Sequence, residues 1–317
     1  MAKDQYRNTI SRLLEQRGQG AGKEWGNLMG KISFTTVQEN GFEGILYPGN
    51  GSRQKAVIVV SGSNGGMKMT AEIAEFYHKN GVPALAVAMF NTKQTVKGLD
   101  RIPIEYIEAA IAWLKGQGYQ KIGMDGTSKG SEMTLLCASM FSDISCVIAR
   151  VPSHFVSEGL VANGKSKKPS GTSCWSYHGK ELPFAPYRTR KFNILKLIAA
   201  YKELHLLTIN KDKDVTEETI IPVEKIKAPV LLLSAVNDTV WPSYESGNYI
   251  EIRLKENNFA YTYKHIAFPT MSHAMLTELN NIYKLAFKTE RKNKAECARE
   301  REQLKRELLS WVNQIWK

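Results

Sequence analysis

From about residue 56 onward the chain alternates short apolar runs with stretches whose apolar residues recur every three or four positions. That rhythm points to a parallel sheet covered by helices on both faces. Strands buried on both sides read as continuous apolar runs, and the crossovers between them read as amphipathic helices. The strand candidates are Ala56–Ser61, Pro83–Ala88, Lys121–Asp125, Ser145–Arg150, Pro229–Ser234 and Tyr261–Ala267. Helices are predicted over Lys68–Asn80, Pro103–Lys115, Lys129–Phe141 and Ser243–Asn257. In the second of these, Pro103 sits at the start and Ile104, Ile107, Ile111 and Leu114 share one face. Upstream, Ile32–Val37 and Phe42–Tyr47 flank Glu39-Asn40-Gly41, which predicts an antiparallel hairpin at the sheet edge.

Two segments depart from the rhythm. From Val151 to about Pro222 the chain carries Gly, Ser, Lys and Pro clusters, the aromatics Trp175, Tyr177, Phe184 and Tyr187, and one helix-like piece near Ile194–Leu204. This is too long for an ordinary connection between strands. It reads as a cap inserted at about 151–222 over the carboxyl edge of the sheet, where ligands of open α/β sheets bind. Residues 1–30 read as a polar helical extension, leaving 31–317 as one α/β domain with an inserted cap.

Composition narrows the class. Of 317 residues, 43% are hydrophobic and 23% charged, an ordinary globular mix. No stretch approaches the roughly 20 apolar residues that span a bilayer. The first twenty residues lack an apolar run beside a small-residue cleavage site, so no secretory signal is predicted and the expected location is cytoplasmic. The four cysteines lie far apart with no CxxC spacing, so neither a metal site nor a cofactor is expected. Net charge is +12, a surplus suited to nucleic acid, an anionic membrane surface or an anionic small substrate. The dense run from Lys288 to Glu307 carries both signs and reads as a solvated helix face, and no nucleic-acid motif accompanies it.

The chemistry concentrates at Gly126-Thr127-Ser128-Lys129-Gly130, a G-x-S-x-G. The bare pattern is weak; its setting, after the strand KIGMD and at the head of a helix, is what a nucleophile elbow requires. This setting predicts an α/β-hydrolase fold with Ser128 as nucleophile. A serine hydroxyl needs a base, and the base needs an acid to orient it. The chain order of this fold, Ser then Asp then His, selects Asp238, where PVLLLS runs into Ala235-Val236-Asn237-Asp238, and His273, in the loop past the last strand. His78, His205 and His265 sit in a helix, in the insert and within a strand and are read as structural; His154, past a strand, and His178, in the insert, are read as structural or as substrate contacts. The oxyanion hole should draw one amide from Lys129 and another from Asn64 or Gly65 in the glycine-rich loop Ser61–Gly66.

With these residues in hand, the chain resembles the acyl-CoA thioester hydrolase / bile acid-CoA:amino acid N-acyltransferase family, in its C-terminal catalytic domain. The resemblance runs from about residue 42 to 290. It rests on SGSNGG, IPIEYIEAAIAWL, GTSKGSE, WSYHGKELPFAPY, IPVEKIKAPVLLLSAVNDTVWPS and SHAML. It implies that nucleophile, acid and base fall on Ser128, Asp238 and His273, and that the substrate is an acyl-CoA thioester. Family members with the full architecture carry an N-terminal β-sandwich, for which the first 40 residues are too few. The bile-acid conjugating members use Cys where this chain has Ser, which favours hydrolysis over amide formation.

The expected activity is therefore hydrolysis of an acyl thioester through an acyl-enzyme. Its rivals are a carboxylesterase or peptidase on the same fold, an acyl-CoA:amine N-acyltransferase, and a non-catalytic binding module. A small-molecule partner is expected, with no nucleic acid and no membrane span; a homo-oligomer is left open.

Overall fold

The computed structural model describes residues 32–163, 166–188, 198–199, 209 and 211–317. The extension predicted over 1–30, the piece near Ile194–Leu204 and His205 lie outside them. The apolar runs form strands within two residues of the expected boundaries. The first are β1 (Ser33–Thr35), β2 (Gly44–Tyr47), β3 (Lys55–Val60), β4 (Ala84–Val87) and the short β5 (Ile102–Pro103). Then come β6 (Lys121–Thr127) and β7 (Ile144–Arg150), followed by β8 (Glu158–Asn163), β9 (Ser166–Ser173), β10 (Trp175–Tyr177) and β11 (Lys180–Glu181). The last are β12 (Val230–Ala235) and β13 (Tyr263–Phe268).

Among the described residues the main sheet has eight strands in the order β1-β2-β4-β3-β6-β7-β12-β13. β2 runs antiparallel to both its neighbours, β1 and β4, and every pairing from β4 to β13 is parallel. The edge hairpin forms, but Val37–Asn40 makes one helical turn in its loop, capped by Thr36 and closed by Gly41 at φ 79°. Between β3 and β6 the strand order reverses direction, which opens a crevice at their carboxyl ends.

Both faces of the sheet are covered. Ala56, Ile58 and Val60 of β3 enter one core, with α2 (Glu105–Gly116), α3 (Lys129–Met140) and α4 (Ser243–Glu256) on that side. Val57 and Val59 enter the other, with α1 (Lys68–Lys79) and the C-terminal helix. β12 divides in the same way: Val230 and Leu232 on one face, Leu231 and Leu233 on the other. Pro103 ends the short β5 instead of opening α2, which starts at Glu105.

Between β7 and β12 the described residues form four short strands, one helical turn at Lys211–Asp214 and a 3₁₀ turn at Val223–Lys225. β8 and β9 make an antiparallel hairpin, and β10 pairs with β11 and, in parallel, with β5. Leu160, Trp175 and Tyr187 of this segment are buried in the same core as α3.

Beneath the crevice β6 and β7 carry a fully buried charge cluster. Arg150 Nε donates to Asp125 Oδ1 at 2.9 Å, its Nη2 donates to Oδ2, and the Tyr77 hydroxyl donates to Oδ2 at 2.7 Å. Burial and the adjacent Asp125 push the Tyr77 phenol well above its usual range, so it stays a neutral donor. Breaking such a pair strands a charge in the core. Arg150→Met should cost about 3–5 kcal/mol of stability in urea unfolding, and adding Asp125→Asn should recover part of that loss.

Candidate active site

β6 leads into α3 through a turn that leaves Ser128 at φ 58°, ψ −120°, the left-handed region that side-chain-bearing residues rarely occupy. The flanking glycines make this turn possible. A Cβ on Gly126 would lie 2.1 Å from the carbonyl oxygen of Gly130, and one on Gly130 would lie 2.4 Å from that of Ser61. The Ser128 amide donates to Arg150 O at 2.9 Å and its carbonyl accepts from Ser131 N at 2.8 Å, so the backbone is held on both sides.

The three residues selected from sequence come together. His273 Nε2 lies 2.8 Å from Ser128 Oγ, and His273 Nδ1 lies 2.7 Å from Asp238 Oδ2. All three side chains are buried. Asp238 also accepts from Val240 N at 2.9 Å, Trp241 N at 3.3 Å and Ser243 Oγ at 2.6 Å. A carboxylate accepting all these bonds requires Nδ1 of His273 to donate, which leaves Nε2 to accept the serine proton. Trp241 meets the His273 ring edge-on at 5.5 Å and donates through Nε1 to Val151 O at 3.1 Å.

The loop that carries His273 is tied down by carboxylates from the C-terminal helices. Glu290, on α5 (Lys288–Lys292), accepts from Ser272 Oγ at 2.8 Å and is paired with Arg301 at 2.9 Å. Glu300, on α6 (Lys294–Ser310), accepts from Thr270 N at 3.0 Å and Met271 N at 2.6 Å. The run read from sequence as a solvated face is thus partly turned inward: Glu290 and Arg301 are buried. The reason is tertiary. Unsatisfied amides in the histidine loop need acceptors, and a mixed-charge helix supplies them.

In the loop after β3, Gly62 packs against Ser128; a Cβ there would lie 3.0 Å from that of the serine. The Gly65 amide donates to Gly62 O at 3.3 Å, and the Gly66 amide donates to Phe90 O at 2.8 Å. Among the described residues the amides of Ser63, Asn64 and Lys129 have no acceptor. Of the pair selected from sequence, Asn64 therefore keeps a free amide while that of Gly65 is engaged; Ser63 is a further candidate that the sequence reading passed over.

Lys129 carries a second feature that the reading missed. Its side chain is buried, with Nζ 3.2 Å from Glu132 Oε2, donating to Ser157 Oγ and lying 5.5 Å from the Tyr187 ring. Glu132 also accepts from Trp175 Nε1 at 2.8 Å and Ser157 N at 2.9 Å. Burial opposes the lysine charge, but Cys174, Glu132 and Tyr187 reverse the effect and raise its pKa above the usual value. The Cys174 thiol is itself pushed up to about 12 by burial and is neutral near pH 7, so Glu132 is the compensating charge. The i, i+3 spacing of Lys129 and Glu132 was the only local signal for this pair.

Of the remaining described histidines, His154 lies 3.0 Å from Ser246 Oγ and stacks on Tyr249, and His265 lies 2.7 Å from Ser234 Oγ. His78 accepts from Gly49 N at 3.0 Å, and His178 is exposed. Among the described residues no group of three or more His, Cys, Asp or Glu is placed to hold a metal ion, and no helix is long and apolar enough to cross a membrane.

An open, mostly parallel sheet with a strained serine where β6 turns into α3 defines an α/β-hydrolase fold. Solved structures agree: a putative dienelactone hydrolase from Klebsiella pneumoniae superposes with a TM-score of 0.54 at 14% identity, over 89% of this chain and 98% of its own. Est1E from Butyrivibrio proteoclasticus, solved with ferulic acid bound, gives 0.50 at 16% identity, over 88% and 100%. Within that fold, residues 102–277 match the family described as BAAT / acyl-CoA thioester hydrolase C terminal, and the chain belongs to this family. Human acyl-coenzyme A thioesterase 1 is 27% identical over 169 residues, 51% of this chain and 36% of that protein. Mouse peroxisomal succinyl-coenzyme A thioesterase is 25% identical over 203 residues, 62% of this chain and 43% of that protein. The chain thus aligns with less than half of the length of these curated relatives.

Replacing Glu132 with Gln keeps the shape of the side chain but leaves the Lys129 ammonium buried without its counter-charge. The variant should unfold in urea with a stability lower by about 3–5 kcal/mol.

Proposed function

We propose that the chain is a serine hydrolase that cleaves an acyl-CoA thioester through an acyl-enzyme. The observation that carries the proposal is the unbroken hydrogen-bonded line from Asp238 through His273 to Ser128 Oγ, ending on a strained elbow. Ser128 Oγ attacks the thioester carbonyl while His273 Nε2 takes its proton, and Asp238 stabilises the imidazolium. The negative charge on the carbonyl oxygen is met by the Lys129 amide and by the free amides of the Ser63–Asn64 stretch. The coenzyme thiolate then leaves. A thiol with a pKa of about 8.5 departs far more readily than an amine, so the step needs little acid assistance. Water deprotonated by His273 attacks the acyl-enzyme and releases the acid.

The acyl-CoA assignment draws on the family and on the names of its curated relatives. The segment 151–222 serves in this reading as a cap over the crevice, with Trp175 and Tyr187 anchoring it in the core beside α3. The four buried free cysteines fit the reducing conditions of a cytoplasmic location.

Thiol release from short-, medium- and long-chain acyl-CoAs, compared between wild type and Ser128→Ala, tests the proposal. Wild type should turn over at least one thioester, and the variant should lose about 10⁴-fold or more in kcat. Absence of thiol release by wild type, with Ser128 still labelled by a fluorophosphonate, would move the assignment to an ester or peptide substrate. Conjugates formed on adding glycine or taurine would move it to acyl transfer.

A further inference from the structure

We propose that Lys167, on the inserted hairpin and distant in sequence from the triad, is a positioning residue of the oxyanion hole. The inference rests on the serine-hydrolase reading of the site and concerns how the loop after β3 is held in its working shape.

Lys167 Nζ donates to the carbonyl oxygen of Ser63, its one hydrogen-bond acceptor among the described residues. In a trans peptide the C=O of one residue and the N–H of the next lie in one plane and point in opposite directions. Fixing the Ser63 carbonyl on Lys167 therefore turns the Asn64 amide the other way. The preceding peptide is fixed in the same manner, because Gly62 O accepts from Gly65 N at 3.3 Å and this orients the Ser63 amide. Both carbonyls are engaged, while both partner amides have no acceptor and follow directly on Gly62, the residue packed against Ser128. A cation on a carbonyl oxygen also draws electron density from the peptide nitrogen, which makes the N–H a stronger donor.

The surroundings fit a clamp. The Lys167 ammonium lies 5.7 Å from the Phe90 ring, the ring that Gly65 is packed against; a Cβ on Gly65 would lie 2.8 Å from it. Phe90 also accepts the Gly66 amide at 2.8 Å. Phe90 thus packs against the loop at Gly65 and Gly66, and Lys167 holds the loop at the Ser63 carbonyl. Burial lowers the pKa of this ammonium, so its charge is kept there at a cost that a merely decorative surface lysine would not bear. The same hairpin reaches the other proposed donor: Lys167 pairs with Ala162 across the β8–β9 ladder, and Glu158 O, at the start of β8, lies 3.4 Å from Lys129 Nζ. One inserted hairpin therefore touches the two residues, Ser63 and Lys129, on which the hole is built.

Lys167→Met keeps the stem that packs near Phe90 and removes the charge. Three quantities are read for wild type, Lys167→Met and Lys167→Arg: the second-order rate of Ser128 labelling by a fluorophosphonate, whose phosphoryl oxygen needs the hole; the affinity for a non-hydrolysable thioether analogue of acyl-CoA, which forms no oxyanion; and the thermal midpoint. Losing a whole oxyanion donor costs about 100-fold or more, so weakening one should slow labelling and kcat by about tenfold. Thioether affinity and KM should stay at the wild-type value, and Lys167→Arg should recover most of the rate. An unchanged labelling rate, or a rate that falls only in step with thioether affinity and thermal midpoint, overturns the proposal. If wild type is labelled but releases no thiol from acyl-CoA, the substrate assignment fails while the labelling comparison still decides the role of Lys167. If wild type is not labelled at all, both fall.

Discussion

The closest backbone approach in the site is that between the two ends of the elbow, and the rest of the site depends on it. Gly126 faces the carbonyl of Gly130, and Gly130 in turn faces the carbonyls of Ser61 and Val60. Only hydrogen atoms separate these chains. Removing side chains at two positions lets β6, the head of α3 and the end of β3 occupy one corner. The tight turn this permits drives Ser128 to positive φ and presents its hydroxyl to His273. The local strain is held in place by packing on every side, since α3 is buried along nearly its whole length.

Charge is the second organising force. Three buried ion pairs surround the elbow: Asp125–Arg150 beneath it, Lys129–Glu132 on its helix, and Glu290–Arg301 behind the histidine loop. Buried pairs add little net stability against apolar replacements of the same size. They do impose direction, because each carboxylate also accepts from particular groups. Glu132 fixes Ser157 and Trp175, and Glu290 fixes Ser272 beside His273. The polar interior thus specifies where the catalytic loops stand relative to one another.

The sheet was legible because burial on both faces writes an apolar run that ends within two residues of each strand. The positions of Ser128, Asp238 and His273 were legible because strand ends and chain order are properties of the sequence itself. What escaped was non-local. Nothing near Lys129 announces that its charge will meet Ser157 and Tyr187, or that Glu300 will serve amides at Thr270 and Met271. The β structure of the insert was hidden for a related reason. Its strands are rich in Gly, Ser and Lys, and they take their shape from pairing with β5 and from packing on α3 more than from an apolar pattern of their own. The Ser63 amide was passed over because the choice among loop amides depends on which carbonyls accept them.

The burial of α3 has an evolutionary consequence. A helix enclosed by the sheet on one side and by the insert on the other has no solvent face on which substitutions are neutral, and ten of its twelve residues are buried. Change there is penalised at nearly every position. Variation around the site must therefore draw on β8–β11 and the loops between them, where glycines and exposed polar side chains leave room to vary. The helix that Ser128 heads and the segment β8–β11 would diverge at different rates, one held by geometry and the other open to change.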